Sequence, residues 1–325
     1  MHIRTALVAF FSLPALAWAQ MSDPVVVTGL PVLEPLPAPL ELQVDPAPAQ
    51  RPRLTISDSG EAAGQDDLAL RSAAALVISQ EDGQLLYAKN TDAVMPIASI
   101  TKLMTAMVIL DSGLSLDEPV TITRQDVDKL KGTKSRLRLG LTLPRREMLR
   151  LALMASENRA AATLARSYPG GTRAFVQAMN LKGRQLGMRD TRFVDATGLN
   201  PNNVSTALDL ALLVNAGYHY PLIRDYSTTD SVRLAFRGSR KTRALAFRNS
   251  NSLVRSGQWE IGLQKTGYIS EAGRCLVMQA RISAKPVIIV LLDSWGKFTR
   301  VGDANRIKRW VETLEIRAPR KPRMM

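Results

Sequence analysis

Ser99-Ile-Thr-Lys-Leu-Met-Thr-Ala-Met-Val-Ile-Leu110 is apolar on most sides, broken only by Ser99, Lys102 and two threonines. A helix with an apolar surface all round belongs at the centre of a fold. Pro96, just upstream, fits a helix that starts near Ser99. Strand patterns lie to either side of this helix along the chain. Ala74 to Ile78 and Gln84 to Tyr87 flank a turn at Glu81-Asp82-Gly83, a hairpin signal. Near the other end, Ile261 to Tyr268, Arg274 to Ile282 and Pro286 to Asp293 read as strands, punctuated by Gly273 and Ala284-Lys285-Pro286. Between them, Glu147 to Ala165 and Arg173 to Leu186 carry amphipathic helical spacing, and Arg300 to Leu314 closes the unit as a helix. Strands at both ends with helices between predict an α+β fold: one antiparallel sheet flanked by helices, plus a helical subregion. No internal repeat is visible.

The remainder of the 325-residue chain is organised around that unit, expected over residues 71–317. Residues 1–19 read as an export signal, with Arg4, an apolar run from Ala6 to Leu16, and the small-x-small pattern Ala17-Trp18-Ala19. That run is too short to span a bilayer, which takes about 20 apolar residues. The expectation is cleavage before Gln20 and a periplasmic protein. Residues 20–70 carry prolines at 24, 31, 35, 37, 39, 46, 48 and 52, with no Phe, Tyr or Trp from Pro24 onward, and read as an extended linker. Residues 318–325 form a basic tail that could give weak contact with an anionic membrane. Losing the signal removes one cation and no acid, taking the net charge from +14 to +13. The other cations are scattered, with no zinc-finger spacing and no basic helix with interleaved aromatics, so nucleic acid is not an expected partner.

Two scarcities narrow the chemistry. Cys275 is the only cysteine, so no intramolecular disulfide forms, and a small buried side chain is its expected role. Only His219 remains after signal removal, in a segment read as a helix end. A zinc hydrolase built on several histidines is therefore excluded. A lysine is the better candidate base, and no metal or cofactor is expected.

Three motifs supply that base and its partners: Ser99-Ile-Thr-Lys102, Ser156-Glu157-Asn158 and Lys265-Thr266-Gly267. A Ser followed three residues later by Lys occurs by chance roughly once in a chain this long. All three in this order form the signature of penicillin-binding proteins and serine β-lactamases. Residues i and i+3 share a helix face, so the Ser99 hydroxyl and Lys102 amine can meet. The first helical turn, with its unpaired amides and dipole, favours developing negative charge at the serine. A lysine base must be brought to a pKa around 7 to 8, a shift worth ~4 kcal/mol. Burial, and a second cation such as Lys265, both push that way. Ser156 could relay a proton, and the Asn158 carboxamide could hold a peptide bond; a helix cap is the alternative for both. Lys265 and Thr266 suit a substrate carboxylate, each charge-assisted bond contributing ~1.5–3 kcal/mol. Gly267 would let substrate backbone approach closely.

Longer stretches extend the likeness. Pro96 to Met107, Leu151 to Ala160, Leu263 to Ile269 and Glu271-Ala-Gly-Arg-Cys-Leu-Val-Met278 resemble the D-alanyl-D-alanine endopeptidases of the penicillin-binding protein 7 type, a likeness covering about Ala74 to Leu314. The resemblance implies a β-lactamase/transpeptidase-like fold and cleavage of D-alanyl cross-links in peptidoglycan, with β-lactams as covalent inhibitors. It implies Ser99 as nucleophile, Lys102 as proton acceptor, Ser156 in proton transfer, and Asn158, Lys265 and Thr266 in substrate binding. The backbone amides of Ser99 and Tyr268 would form the oxyanion hole. Ala196 departs from the proline that often follows Asp195 in this group. The chain ends soon after its final helix, where many D,D-carboxypeptidases carry a second domain and an amphipathic anchor; a soluble or loosely bound enzyme is the expectation. A D,D-carboxypeptidase shares every motif and is the nearest rival. A class A β-lactamase is disfavoured by the lack of a Glu-x-x-Leu-Asn stretch after the second motif. A non-catalytic wall-binding protein is the remaining alternative.

Overall fold

The computed structural model describes residues 68–237 and 242–317. The expected signal, nearly all of the expected linker and the basic tail lie outside the described residues. In chain order the elements are β1 (Ser72–Ser79), β2 (Leu85–Lys89), β3 (Met95–Pro96), α1 (Thr101–Asp111), β4 (Pro119–Thr121) and β5 (Thr142–Pro144). Then come α2 (Arg145–Met154), α3 (Asn158–Arg166), α4 (Gly171–Leu186), β6 (Val204–Ser205), α5 (Ala207–Tyr218), α6 (Pro221–Thr228), β7 (Ser231–Arg237) and β8 (Thr242–Arg248). The chain closes with α7 (Ser252–Ser256), β9 (Glu260–Ile269), β10 (Gly273–Ile282), β11 (Lys285–Ser294) and α8 (Thr299–Arg317).

The principal sheet is antiparallel with strand order β2-β1-β11-β10-β9. The middle segments of its interior strands are mostly apolar because both faces are covered. On one face Leu76, Ile78, Val277, Ile288, Val290 and Leu292 join the larger core with α1, α2 and α5. The alternate residues Ala75, Val77, Met278, Ile289 and Leu291 meet Ala304, Ile307 and Val311 of α8 on the other. The period-2 alternation of strands thus splits one apolar run between two cores. The α+β architecture expected from the sequence is the one observed.

Helix α1 is the hub of the larger core, with every residue from Thr101 to Ile109 buried. Lys102 is among them, at 0% exposure, so an ammonium-bearing side chain sits inside an apolar helix at the centre of the core.

Three sequence expectations need correction. Glu147 to Ala165 is not one helix: α2 ends at Met154 and α3 starts at Asn158, with Ser156 between them at φ +59°. A non-glycine residue there costs roughly 1–2 kcal/mol, so the break is held by what surrounds it. The β7–β8 hairpin, paired from Ser231↔Arg248 onward, was not anticipated among the helices. The folded unit also begins before residue 71. Leu68 and Leu70, assigned to the linker, are buried against the α8-side core, and the Leu70 carbonyl accepts from Lys89 Nζ at 3.0 Å. Among the described residues, no helix is long and apolar enough to cross a membrane.

Candidate active site

The three motifs converge at the junction of α1, the α2–α3 break and the edge strand β9. Ser99 occupies a single 3-10 turn, Ala98–Ile100, that runs directly into α1. The residue before it, Ala98, has φ +48°. Together with Ser156, it makes two strained non-glycine residues at the meeting point of the motifs, where such strain is characteristically stored.

Lys102 reaches back one turn and donates to Ser99 Oγ at 2.7 Å, as the i, i+3 spacing requires. It also donates to Asn158 Oδ1 at 2.7 Å and to the Thr197 carbonyl at 2.6 Å. Three acceptors match its three donors. Burial lowers its pKa from 10.5 to about 7, while the Asp195 and Glu157 carboxylates push the other way. A shift of that size corresponds to ~5 kcal/mol. Of the two causes anticipated from sequence, burial is the one that acts on Lys102.

Lys265 is also fully buried and donates to Ser156 Oγ at 2.9 Å and to the Thr266 carbonyl at 2.9 Å. Burial first, then the Lys102 and Arg300 charges, hold its pKa well below the ordinary lysine value. Repulsion between the two ammonium groups therefore weighs on Lys265. Its bond to Ser156 links the second and third motifs across the cleft. The helix-cap alternative for Ser156 and Asn158 fails: Glu157 is the N-cap of α3, no side chain caps that helix, and both motif side chains bond lysines.

Thr266 Oγ1 pairs with Ser250 Oγ at 2.7 Å. Gly267 abuts the turn that carries Ser99: a Cβ added there would lie 2.9 Å from the Ile97 carbonyl oxygen and 3.1 Å from the Ser99 nitrogen. Only a residue without a side chain lets β9 lie this close to Ser99. Tyr268, the next residue, is exposed.

Several supporting groups were not singled out from sequence. Asp195 accepts from the backbone amides of Thr197, Gly198 and Asn200 at 2.5, 2.7 and 2.9 Å, folding the loop that offers the Thr197 carbonyl to Lys102. The Asp-x-Thr-Gly pattern is a recognisable Asx-turn signal, so this part was within reach. Thr133 Oγ1 accepts from Asn158 Nδ2 at 3.1 Å and orients the carboxamide; nothing in its surroundings along the chain marks it. Arg300 Nη1 donates to the Gly267 carbonyl at 3.0 Å from the first turn of α8, and only the tertiary fold brings it there.

Gly198 carries the sharpest packing constraint. It sits at φ +78°, and a Cβ would lie 1.9 Å from the Ala98 carbonyl oxygen. Both atoms belong to backbone, so a flexible side chain cannot absorb the clash. Gly198→Ala is expected to cost at least ~2 kcal/mol, lowering Tm by roughly 5 °C. It should also reduce acylation by more than about tenfold, because the displaced residue adjoins Ser99. Thermal melting and a β-lactam acylation rate check both effects.

What the arrangement can do chemically is plain from its parts. A hydroxyl in contact with a lysine poised near neutrality is the arrangement that activates a nucleophile, and a second buried lysine holds the Ser156 hydroxyl. The comparisons with known proteins agree. A profile of D-alanyl-D-alanine carboxypeptidases matches residues 60–296. A D-alanyl-D-alanine endopeptidase of Pseudomonas aeruginosa is 52% identical over 249 residues, covering 77% of this chain and 80% of its own. The Streptomyces K15 DD-transpeptidase superposes with a TM-score of 0.70 at 27% identity, over 75% of this chain and 98% of that one. Penicillin-binding protein D2 of Listeria monocytogenes, in a cefotaxime-bound form, gives 0.64 at 32% identity over 74% and 97%. The chain belongs to the D-alanyl-D-alanine carboxypeptidase family of serine peptidases.

Proposed function

We propose that the protein is a peptidoglycan D,D-endopeptidase that hydrolyses D-alanyl cross-links between stem peptides. The observation that carries this reading is the Lys102 contact with Ser99 inside a desolvated core, together with 52% identity to an endopeptidase of this family. Ser99 Oγ attacks the D-alanyl carbonyl carbon while neutral Lys102 takes its proton. Charge developing on the carbonyl oxygen is met by the backbone amides of Ser99 and Tyr268. The C–N bond then breaks, and the departing amine of the neighbouring stem peptide takes the proton held by Lys102 by way of the Ser156 hydroxyl, itself held by Lys265. Lys102, neutral again, deprotonates the incoming water, which releases the acyl group. Ser99 Oγ recovers that proton as its ester bond breaks.

Asn158 is suited to hold the substrate peptide bond, its carboxamide fixed between Lys102 and Thr133. Lys265 and Thr266 are suited to a carboxylate, whose arrival would favour the protonated form of a lysine that burial otherwise disfavours. Gly267 lets the substrate backbone lie along β9. β-Lactams acylate the same serine in this reading. The sequence features at residues 1–19 support export to the periplasm, and those at 20–67 and 318–325 support a tether and a basic tail.

Incubation with cross-linked muropeptide dimers and with pentapeptide monomers tests the assignment, with products identified by mass. Conversion of dimers to monomers is the expected result. Release of D-alanine from pentapeptides with dimers left intact would make the protein a carboxypeptidase instead.

A further inference from the structure

Among the described residues, few large hydrophobic side chains are exposed. Three of these are aromatic and stand at one end of the principal sheet: Tyr268, Trp295 and Phe298, at 57%, 87% and 72% exposure. The strand register explains their proximity. Tyr268 of β9 pairs with Arg274 of β10, and Arg274 pairs with Ser294 of β11, the residue before Trp295. With strands about 4.8 Å apart, Tyr268 and the start of the Trp295 loop are separated by about 10 Å across the sheet. Arg274 lies between them, its guanidinium 4.6 Å from the Tyr268 ring centroid. Lys297 sits 5.4 Å from the Phe298 ring, and Arg300 bonds the Gly267 carbonyl beneath.

The result is a shelf of aromatic faces interleaved with cations. It continues directly from the strand carrying Lys265 and Thr266. Exposed aromatics at such cost in hydration mark a recognition surface. We propose that this shelf binds the glycan strand of peptidoglycan, with pyranose rings stacked on Trp295 and Tyr268 and sugar or stem carboxylates paired with Arg274 and Lys297. The shelf spans about one disaccharide, and its charge is opposite to that of a carboxylate-bearing polymer. The proposal rests on the endopeptidase reading and adds to it a second point of hold on the substrate, away from the scissile bond.

Trp295→Ala/Phe298→Ala, altering two exposed side chains outside the catalytic contacts, is the test. Three quantities are compared with the unaltered protein: sedimentation with purified sacculi, Trp fluorescence on adding peptide-free glycan chains, and acylation by a β-lactam. The proposal expects a glycan-dependent change in Trp fluorescence in the unaltered protein, sacculus affinity lower by about tenfold or more in the double variant, and acylation within about twofold. Trp295→Phe in the Phe298 background should restore most of the sacculus binding. Unchanged sacculus binding in the double variant would overturn the proposal. So would binding of anionic phosphatidylglycerol vesicles through Trp295 and Phe298 without any response to glycan, which would make the shelf a membrane contact. Failure of the unaltered protein to be acylated would count against the Ser99 mechanism, and the glycan titration would still decide the shelf.

Discussion

Ser99→Ala is expected to abolish covalent labelling by β-lactams and to reduce cross-link cleavage by at least about 10⁴-fold. The serine oxygen is the group that joins the acyl carbon in this account, and among the described residues no other side-chain hydroxyl hydrogen-bonds Lys102. Ser156 has a hydroxyl, but it bonds Lys265, and the α2–α3 break holds it in place. The fold should persist. Ser99 is only half-buried and contributes one accepted hydrogen bond, worth about 1 kcal/mol. A melting temperature within a few degrees of the parent, with no adduct by mass, is the expected pair of results. An adduct that survives the substitution would place the nucleophile elsewhere.

Lys102→Met is expected to lower the acylation rate constant by about 10³–10⁴-fold, the range for losing a general base. Methionine fits the volume of a buried, unbranched side chain, so the pocket stays filled. The substitution also strands the Thr197 carbonyl and leaves Asn158 without its lysine donor, adding a stability loss of roughly 1–3 kcal/mol. Lys102→Arg separates base from charge. Arginine preserves a cation but does not deprotonate, so a purely electrostatic Lys102 would leave that variant substantially active. The account expects it to be as impaired as Lys102→Met, measured as acylation with a soluble β-lactam.

The parts of this fold readable from sequence were those with a strong local period. The apolar α1 stretch and the strand runs at Ala74–Ile78 and from Ile261 onward are found where their patterns put them. The α2–α3 break was missed because helical spacing continues through Leu151 to Ala165, while one residue, Ser156, adopts a left-handed conformation for reasons set by Lys265, 109 residues away. The β7–β8 hairpin follows a helical region, and the Gly238-Ser239 pair between its strands was not read as a turn signal. At the site, the motif side chains were legible because three short patterns share an order. Thr133, Ser250 and Arg300 were not, since hydroxyls and guanidinium groups contributed from distant segments leave no spacing along the chain. The depressed lysine was anticipated from burial and a second cation, and burial is the dominant cause. In the fold, the apolar sides of α1 outweigh any neighbouring cation.

The pH dependence of β-lactam acylation examines the central claim, that burial makes Lys102 a base near neutrality. The catalytic form is the neutral amine, so the rate is lost as pH falls below the lysine pKa. With that value at about 7, the second-order rate constant should rise about tenfold per pH unit below pH 6 and level off above pH 8. Lys102→Met should remove the rising limb along with the activity. A rate that keeps climbing toward pH 10, or one that is flat from pH 5 to pH 9, would contradict a buried, neutral Lys102 as the group that activates Ser99.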